Sequence, residues 1–479
     1  MRVKNTRFGP AEQLEVAYTD KPVSGWGGLV ALIRYLERQG LRELLGQALP
    51  DGRSSPNQIP VVDMALALLT SVLTGGKRFA HVERIRTDEV IQTMLGIKRM
   101  PSPMTLTRYF GGFVRSQVEH LCEVLWDFTV QKLRCPRLGM VLDLDSTVFE
   151  RYGSQEGSLK GHNPRKRGRP SHHPLLAVLA EAKIVLHAWL RSGNTGSARG
   201  VIGFLTEAIA QLPPNFRLYA LRADSGFFVK GFLEHLEARG LPYAIVARMT
   251  KPLRREMASI QNWKPFARGL AAAELMYQAP SWNRPRRVIA IREEIEERPE
   301  ARGRMLIDVP GYKFRAIVTT LDHAPVDVWR FYNARADIEN RIKELKEDYG
   351  ANGFCLRSFD GTDAVFRLIC FLFNVMTSFN REVLRNESPR LLTLRTKYFV
   401  IGAIRGSSGR KTILRLGLRD RRQKAFSALL ERVAACRPST VAQLRNLQES
   451  MPKQPPRPWK PRPRRSRRRP LIRFGWAIA

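Results

Sequence analysis

The chain has 479 residues, 43% of them hydrophobic, which supplies more than one buried core and excludes a disordered or fibrous protein. It carries 80 Lys and Arg against 44 Asp and Glu, a net charge of +36, so a polyanion is the natural partner. Residues 451–479 hold ten of these cations and no acid, which still leaves +26 on the rest. No basic amphipathic anchor is visible, so nucleic acid is preferred over a membrane surface. Cys122, Cys135, Cys355, Cys370 and Cys436 lie far apart, with no CxxC pair. They build neither a zinc knuckle nor a disulfide framework, and an odd number fits a reducing compartment. The start, MRVKNTRFGPAEQLEV, has no apolar stretch of the secretory kind. The longest apolar segments, Val61–Leu73 and Ala364–Phe379, are broken by Asp63 and Arg367 and fall short of the ~20 residues that span a bilayer. A soluble cytoplasmic protein is expected.

Residues 27–135 read as helices. Leu29, Leu32, Ile33 and Leu36 recur at helical spacing, as do Leu66, Leu69, Val72 and Leu73. A further helix is expected to start near Ser102 or Thr105. With Arg84, Arg86, Lys98, Arg99 and Arg108 these short helices suit a DNA-reading helix-turn-helix or, equally, a dimerisation unit, giving an all-helical region over 1–135.

At Gly139 the texture changes. Met140–Asp145 is a short apolar strand, and Leu175–Leu190 holds one or two more. A helix over Ala198–Leu212, a strand over Phe216–Arg222, a helix over Lys230–Gly240 and a strand over Pro242–Ala247 follow. Strands in a run and then alternating with helices predict an α/β domain with a mixed sheet, spanning about 138–385. Within it, residues 250–325 read as a β-rich insertion, with strand-like pieces at Val288–Ile291, Met305–Val309 and Phe314–Thr320. One long helix is expected over Val326–Tyr349 and an apolar one over Ala364–Glu382. A small region over 386–450 contains a hairpin around Ser407–Gly409 and a helix near Lys424–Ala435. The Arg/Pro-rich tail, 451–479, reads as disordered.

Two carboxylates close strands of the α/β region. Asp145 ends MVLDLD ahead of Ser146-Thr147, and Asp224 ends FRLYALRAD ahead of Ser225-Gly226. Acids just past strand ends sit where open α/β sheets place their chemistry, and two on neighbouring strands suit Mg²⁺. Either alone is better explained as a turn cap. The third piece is the segment FYNARADIENRIKELKEDYG. At about 100° per residue, Tyr332, Arg335, Glu339 and Lys346 fall within about 60° of one another, beside an apolar stripe of Phe331, Ile338, Ile342 and Leu345. Such a face is commonly a solvated row of ion pairs. The strand-end aspartates and the basic charge favour a site.

The spacing Tyr332-x2-Arg335-x3-Glu339-x6-Lys346 resembles the Y-(2)-R-(3)-E-(6)-K signature of DDE transposases of bacterial insertion sequences. The segments LDLDST, GHNPRKRGRPSHHPLLAVLAE, RSGNTGSARG, LRADSGFF and GYKFRAIVTTL resemble the group 1 DDE-domain branch, insertion-sequence family thirteen-eighty, from about Pro56 to about residue 430. The resemblance implies a ribonuclease H-like catalytic core with a β-rich insertion between the second Asp and the Glu. It makes Asp145, Asp224 and Glu339 the metal triad, binding two Mg²⁺ ions for which Mn²⁺ substitutes. Asp143 is the rival for the first position, since strand alternation puts it on the same face; Asp145 is chosen because it ends the strand and precedes Ser-Thr. Arg335 and Lys346 would hold phosphates, and Tyr332 would contact a phosphate or stack on a base. The implied partner is double-stranded DNA, both transposon ends and target, bound by a homodimer in a cut-and-paste reaction. The other readings are an inactive DNA-binding relative and a metal-dependent nuclease without strand transfer.

The basic run Arg165-Lys166-Arg167, flanked by His162, His172 and His173, reads as a DNA-backbone loop in preference to a metal site. Glu293, Glu294, Glu296, Glu297 and Glu300 read as a solvated cluster, and Trp263 and Trp282 as packing residues. No GxxxxGK[ST] or GxGxxG motif is present, so no nucleotide is expected.

Overall fold

The computed structural model describes residues 14–51, 55, 57–161, 163, 166–294, 311–385 and 389–439. A two-residue strand, β1 (Val23–Ser24), leads into α1 (Leu29–Arg38), α2 (Leu41–Ala48), α3 (Val61–Leu73), α4 (Glu83–Arg86), α5 (Glu89–Leu95), α6 (Pro103–Gly111) and α7 (Arg115–Val130). Local chemistry sets their ends. The Asp88 carboxylate accepts from the Ile91 N–H ahead of α5, and Gly96 closes that helix at φ 65°. The Ser102 hydroxyl accepts from the Thr105 N–H ahead of α6, with Pro103 in its first turn.

The main sheet starts at β2 (Met140–Ser146). Strands β3 (Phe149–Glu150), β4 (Leu159–Lys160) and β5 (Pro170–His172) form a small sheet beside it, and β6 (Leu175–Leu179) and β7 (Ile184–Trp189) form a hairpin. Helix α8 (Val201–Ala210) crosses to β8 (Leu218–Ala223), and α9 (Lys230–Ala238) crosses to β9 (Tyr243–Val246). After α10 (Lys251–Ala258) come β10 (Lys264–Ala267), β11 (Leu270–Tyr277), β12 (Arg286–Glu294) and β13 (Tyr312–Thr319). Among the described residues these make one sheet of nine strands in the order β10-β11-β12-β13-β9-β8-β2-β6-β7. Strands β8 and β9 run parallel to β2, while β6, β7 and the whole β10–β13 meander pair antiparallel. The β-rich stretch expected over 250–325 therefore continues the main sheet from the edge of β9. The piece expected at Met305–Val309 lies outside the described residues, as does the tail.

Strand alternation decides which layer each residue of β2 meets. Leu142 and Leu144 pack with Phe204, Phe232 and Leu233 of α8 and α9. Asp143 and Asp145 therefore face the opposite layer, which holds α11 (Pro325–Asn333), α12 (Ala336–Glu347) and α13 (Phe359–Phe379). Beyond α13 lie α14 (Leu391–Leu394), β14 (Ala403–Ser408), β15 (Lys411–Leu416) and α15 (Asp420–Ala435). β1 pairs with β14, and α1 shares a core with α13 and α15, so the two ends of the described chain close one body.

Two expectations are corrected. The helix foreseen over Val326–Tyr349 is broken into α11 and α12 at Ala334-Arg335. The Arg335 N–H bonds to the Tyr332 carbonyl at 2.9 Å, which releases the Phe331 carbonyl from its helical partner, and Arg222 Nη1 donates to that carbonyl at 2.6 Å. The second concerns the apolar helix expected over Ala364–Glu382. Ser358 caps α13 five residues earlier than expected, and the helix runs on through a π turn to Leu384. By length and composition alone these 26 residues are enough to cross a membrane, but 94% of the most apolar window is buried inside the protein. Arg367, in the middle of that run, is 2% exposed and paired with Asp363 one turn back at 3.0 Å.

Candidate active site

Asp145 and Asp224 stand at the C-terminal ends of β2 and β8, neighbouring parallel strands. The Asp145 Oδ1 accepts from the Ser146 N–H at 2.8 Å. The Asp224 Oδ1 accepts from the Gly226 N–H at 2.8 Å and opens a tight turn. Glu339 comes from the first turn of α12, where the helix dipole favours an acid, and its side chain is 65% exposed.

Arg335 ties this group together. Its Nη2 lies 3.0 Å from Asp145 Oδ1 and its Nη1 lies 3.1 Å from Glu339 Oε1. The side chain is 5% exposed, and its Nε is buried without a hydrogen-bond partner among the described residues. Burial opposes the charge of this guanidinium, but Asp145, Asp224 and Glu339 together hold its pKa above the ordinary value. The converse holds for Asp145: burial, then repulsion from Asp224 and Glu339, pushes its carboxyl up to about 6 against the pull of Arg335. The Tyr332 phenol borders all three acids, and burial raises its pKa as well.

The two aspartates weighed for the first position differ. Asp143 is 1% exposed and takes a two-pronged bond from Arg222, Nε to Oδ1 at 2.6 Å and Nη2 to Oδ2 at 2.8 Å. Asp145 instead adjoins Ser146, which with Asp224 and Lys346 lines a cleft of about 1380 Å³. The Lys346 ammonium lies 3.3 Å from both Thr147 Oγ1 and the Val148 carbonyl, on the cleft wall. Three wall residues were not singled out by the sequence: Arg78 from the loop before α4, Arg151 after β3, and Arg248 after β9. They are far apart in the chain, and no local motif links them. Arg335, foreseen as a phosphate fork, engages carboxylates with both terminal nitrogens.

Arg165 and His162 lie outside the described residues. Lys166 and Arg167 are exposed, and Lys166 reaches Glu150 at 3.0 Å and the Tyr152 hydroxyl at 2.9 Å, both on the cleft rim. His172 is buried, bonded to Arg151 Nε at 3.0 Å and the Glu156 carbonyl at 2.8 Å; burial, then Arg151, lowers its pKa to about 4, so it is a neutral structural group. Trp282 packs on Tyr277 and Phe228, and Trp263 packs on Phe314. Glu293 meets Arg315 at 3.5 Å; Glu296, Glu297 and Glu300 lie outside the described residues.

The donor set is three hard carboxylate oxygen sources whose charges crowd one another, which in kind suits a divalent cation such as Mg²⁺. Among the described residues, no three acidic, His or Cys side chains converge closely enough to hold a metal ion, and the Arg335 guanidinium bridges two of the three acids.

The family model described as transposase DDE domain, group 1, matches residues 7–438. The chain belongs to this family. It is therefore a DNA transposase in the general sense, of a family of transposition nucleases that use divalent metal ions. No curated protein matches the chain. Among solved structures, it is similar to the piggyBac transposase in a cryo-EM synaptic complex with hairpin DNA, at 10% identity and TM-score 0.44 over 91% of this chain and 89% of that one.

Proposed function

We propose that this transposase cuts DNA at the ends of its own element and joins those ends to a target, using Asp145, Asp224 and Glu339 as the ligands of two Mg²⁺ ions. The observation that carries this reading is the bridging of Asp145 and Glu339, from β2 and α12, by one guanidinium, with Asp224 ending the neighbouring parallel strand β8 on the wall of a basic cleft. Divalent ions in such a carboxylate set supply the positive charge that favours in-line attack on phosphorus and stabilises the leaving oxygen. The protein's part is positioning. The Ser146 and Gly226 N–H groups fix the rotamers of Asp145 and Asp224. Arg335 holds Asp145 and Glu339 at a set separation and keeps them charged-balanced until cations arrive. Lys346, with Arg78 and Arg248 on the walls, holds the phosphates of the bound strand, and buried Arg151 adds positive charge behind them.

We read β2, β6, β7, β8 and β9 as a ribonuclease H-like core, a reading supported by three antiparallel strands followed by two parallel crossovers. The working form is read as a homodimer, and residues 451–479 as an arm that binds DNA without reading its sequence.

The test is a cleavage and joining assay on linear DNA carrying the element's ends, with Mg²⁺ or Mn²⁺. Asp145→Asn, Asp224→Asn and Glu339→Gln should each abolish both steps while end binding persists. Cleavage without joining would make the protein a nuclease, and binding without either would make it an inactive relative. Activity in Asp145→Asn together with a dead, folded Asp143→Asn would move the first ligand to Asp143.

A further inference from the structure

A second basic cleft, of about 980 Å³, opens at the other end of β2. Met140 lines it, five residues before Asp145, so strand geometry separates it from the catalytic carboxylates by about 17 Å. Lys132, Arg134, Arg381, Arg385, Arg432 and Arg437 surround it. The opposing acids are Glu181 and Glu382, and both already accept hydrogen bonds, from the Val141 N–H at 3.0 Å and the Tyr35 hydroxyl at 3.1 Å. Among the described residues, Arg134, Arg381, Arg385 and Arg437 make no ion pair within 4.0 Å, and the Arg432 Nε is buried without a hydrogen-bond partner. Among the described residues the six cations of the lining outnumber its two acids, so the cleft carries excess positive charge suited to an anion.

We propose that this cleft seats the phosphate backbone of a second DNA duplex, separate from the strand held at the catalytic carboxylates. The proposal rests on the reading of the chain as an enzyme acting on DNA. Five of the six cations are arginines, whose planar forks match phosphate oxygens two at a time. Burial, against the pull of Glu382, lowers the Lys132 pKa to about 8, as expected for a cation in a partly desolvated seat. Pro438 and Ser439 line the same cleft, and the sequence that follows them places ten Lys and Arg between Lys453 and Arg473. An enzyme that joins one DNA to another must hold two duplexes at once, and a seat away from the carboxylates can grip backbone flanking the point of joining.

The experiment uses the full chain and a labelled duplex of random sequence. Arg134→Glu with Arg381→Glu, both exposed on the rim, is compared with Arg78→Glu with Arg248→Glu in the catalytic cleft. Wild type should bind two duplexes per protomer and the rim variant one. At the rim, affinity should fall about tenfold, and the slope of log K against log salt should become shallower by about two units. Cleavage of an end duplex already bound should stay unchanged. Should the charge reversal melt early, Arg134→Gln with Arg381→Gln gives the same loss of stoichiometry with a smaller slope change. Two duplexes and an unchanged slope in a folded rim variant overturn the proposal, as does a rim that binds inorganic phosphate but no duplex. If only Arg78→Glu with Arg248→Glu affects binding, the DNA-enzyme reading stands and the second seat falls. If wild type binds no duplex at all, both fall together.

Discussion

Two acids on β2, two residues apart and facing the same layer, meet the same kind of partner with opposite results. Asp143 and Arg222 form a closed pair: both carboxylate oxygens are taken, both side chains are buried, and the remaining Arg222 Nη1 is used by the Phe331 carbonyl at 2.6 Å. Asp145 and Arg335 form an open one. A single contact of 3.0 Å joins them, the same guanidinium is shared with Glu339, and its Nε is left without a partner. The Asp145 carboxyl sits near 6 because it is buried beside two other acids. The identity of an acid–arginine pair thus says little about its role. Saturation of its donors and acceptors says more: the closed pair fixes a helix break over the sheet, and the open pair keeps capacity for a ligand.

The largest expected effect separates these roles. Asp145→Asn should reduce strand cleavage by roughly a thousandfold with little change in melting temperature. Asp143→Asn should do the reverse, costing about 3–5 kcal/mol of stability because Arg222 is left as an uncompensated buried charge. Denaturant melts alongside activity per folded molecule check both, and equal loss of activity at unchanged stability in the two variants would erase the contrast. Glu237 provides a second closed case. It joins α9 to β12 through Arg286 at 2.7 and 2.9 Å, Arg284 at 2.7 Å and the Tyr243 hydroxyl at 2.8 Å. Burial works against its ionised form, yet Arg286, Arg284 and Tyr243 hold its pKa down to about 2. A carboxyl depressed in the folded state stabilises above its unfolded pKa and loses that contribution as pH falls through the folded one. The β10–β13 meander should therefore loosen as the pH is lowered from about 4.5 toward 2, and Glu237→Gln should remove this pH dependence, as read by hydrogen exchange across β12. A smaller effect tests the open pair. Arg335→Lys should retain folding but lose about tenfold in activity, since a point charge cannot span Asp145 and Glu339 together. Wild-type rates would show that the bridge is dispensable. Smallest of all, Arg248→Ala should weaken DNA binding equally for all sequences and flatten the salt slope by about 0.9.

The helical phase of Tyr332, Arg335, Glu339 and Lys346 was legible because a period of 3.6 residues is local information. The break at Arg335 was not, since it depends on Arg222, more than a hundred residues upstream, capturing the Phe331 carbonyl. The burial of Arg335 was hidden for the same reason: it follows from α12 lying over β2. Strands β12 and β13 announced themselves by composition and β11 did not, whereas the attachment of β13 to β9 is a register between distant segments that alternation alone does not fix. The strand-end aspartates were readable as candidates, and only the Arg222 clamp separates Asp143 from Asp145. Arg78, Arg151 and Arg248 carry no motif and meet only in the folded chain.

The segment Phe359–Leu384 has a consequence for how the protein is made. It is the most membrane-like stretch of the described chain, and the elements that pack on it most extensively, α6, α7 and β7, precede it, while α15 follows and covers its C-terminal turn. During translation it therefore emerges toward a groove most of whose walls have already been made, which shortens its exposure to chaperones or insertion machinery. A message that stops before Phe359 produces the walls without the filling. Phe110, Leu125, Phe128 and Val185 are then left bare on one continuous apolar face, a substrate for proteases and aggregates. A premature stop upstream of this helix accordingly yields no folded fragment able to compete for DNA.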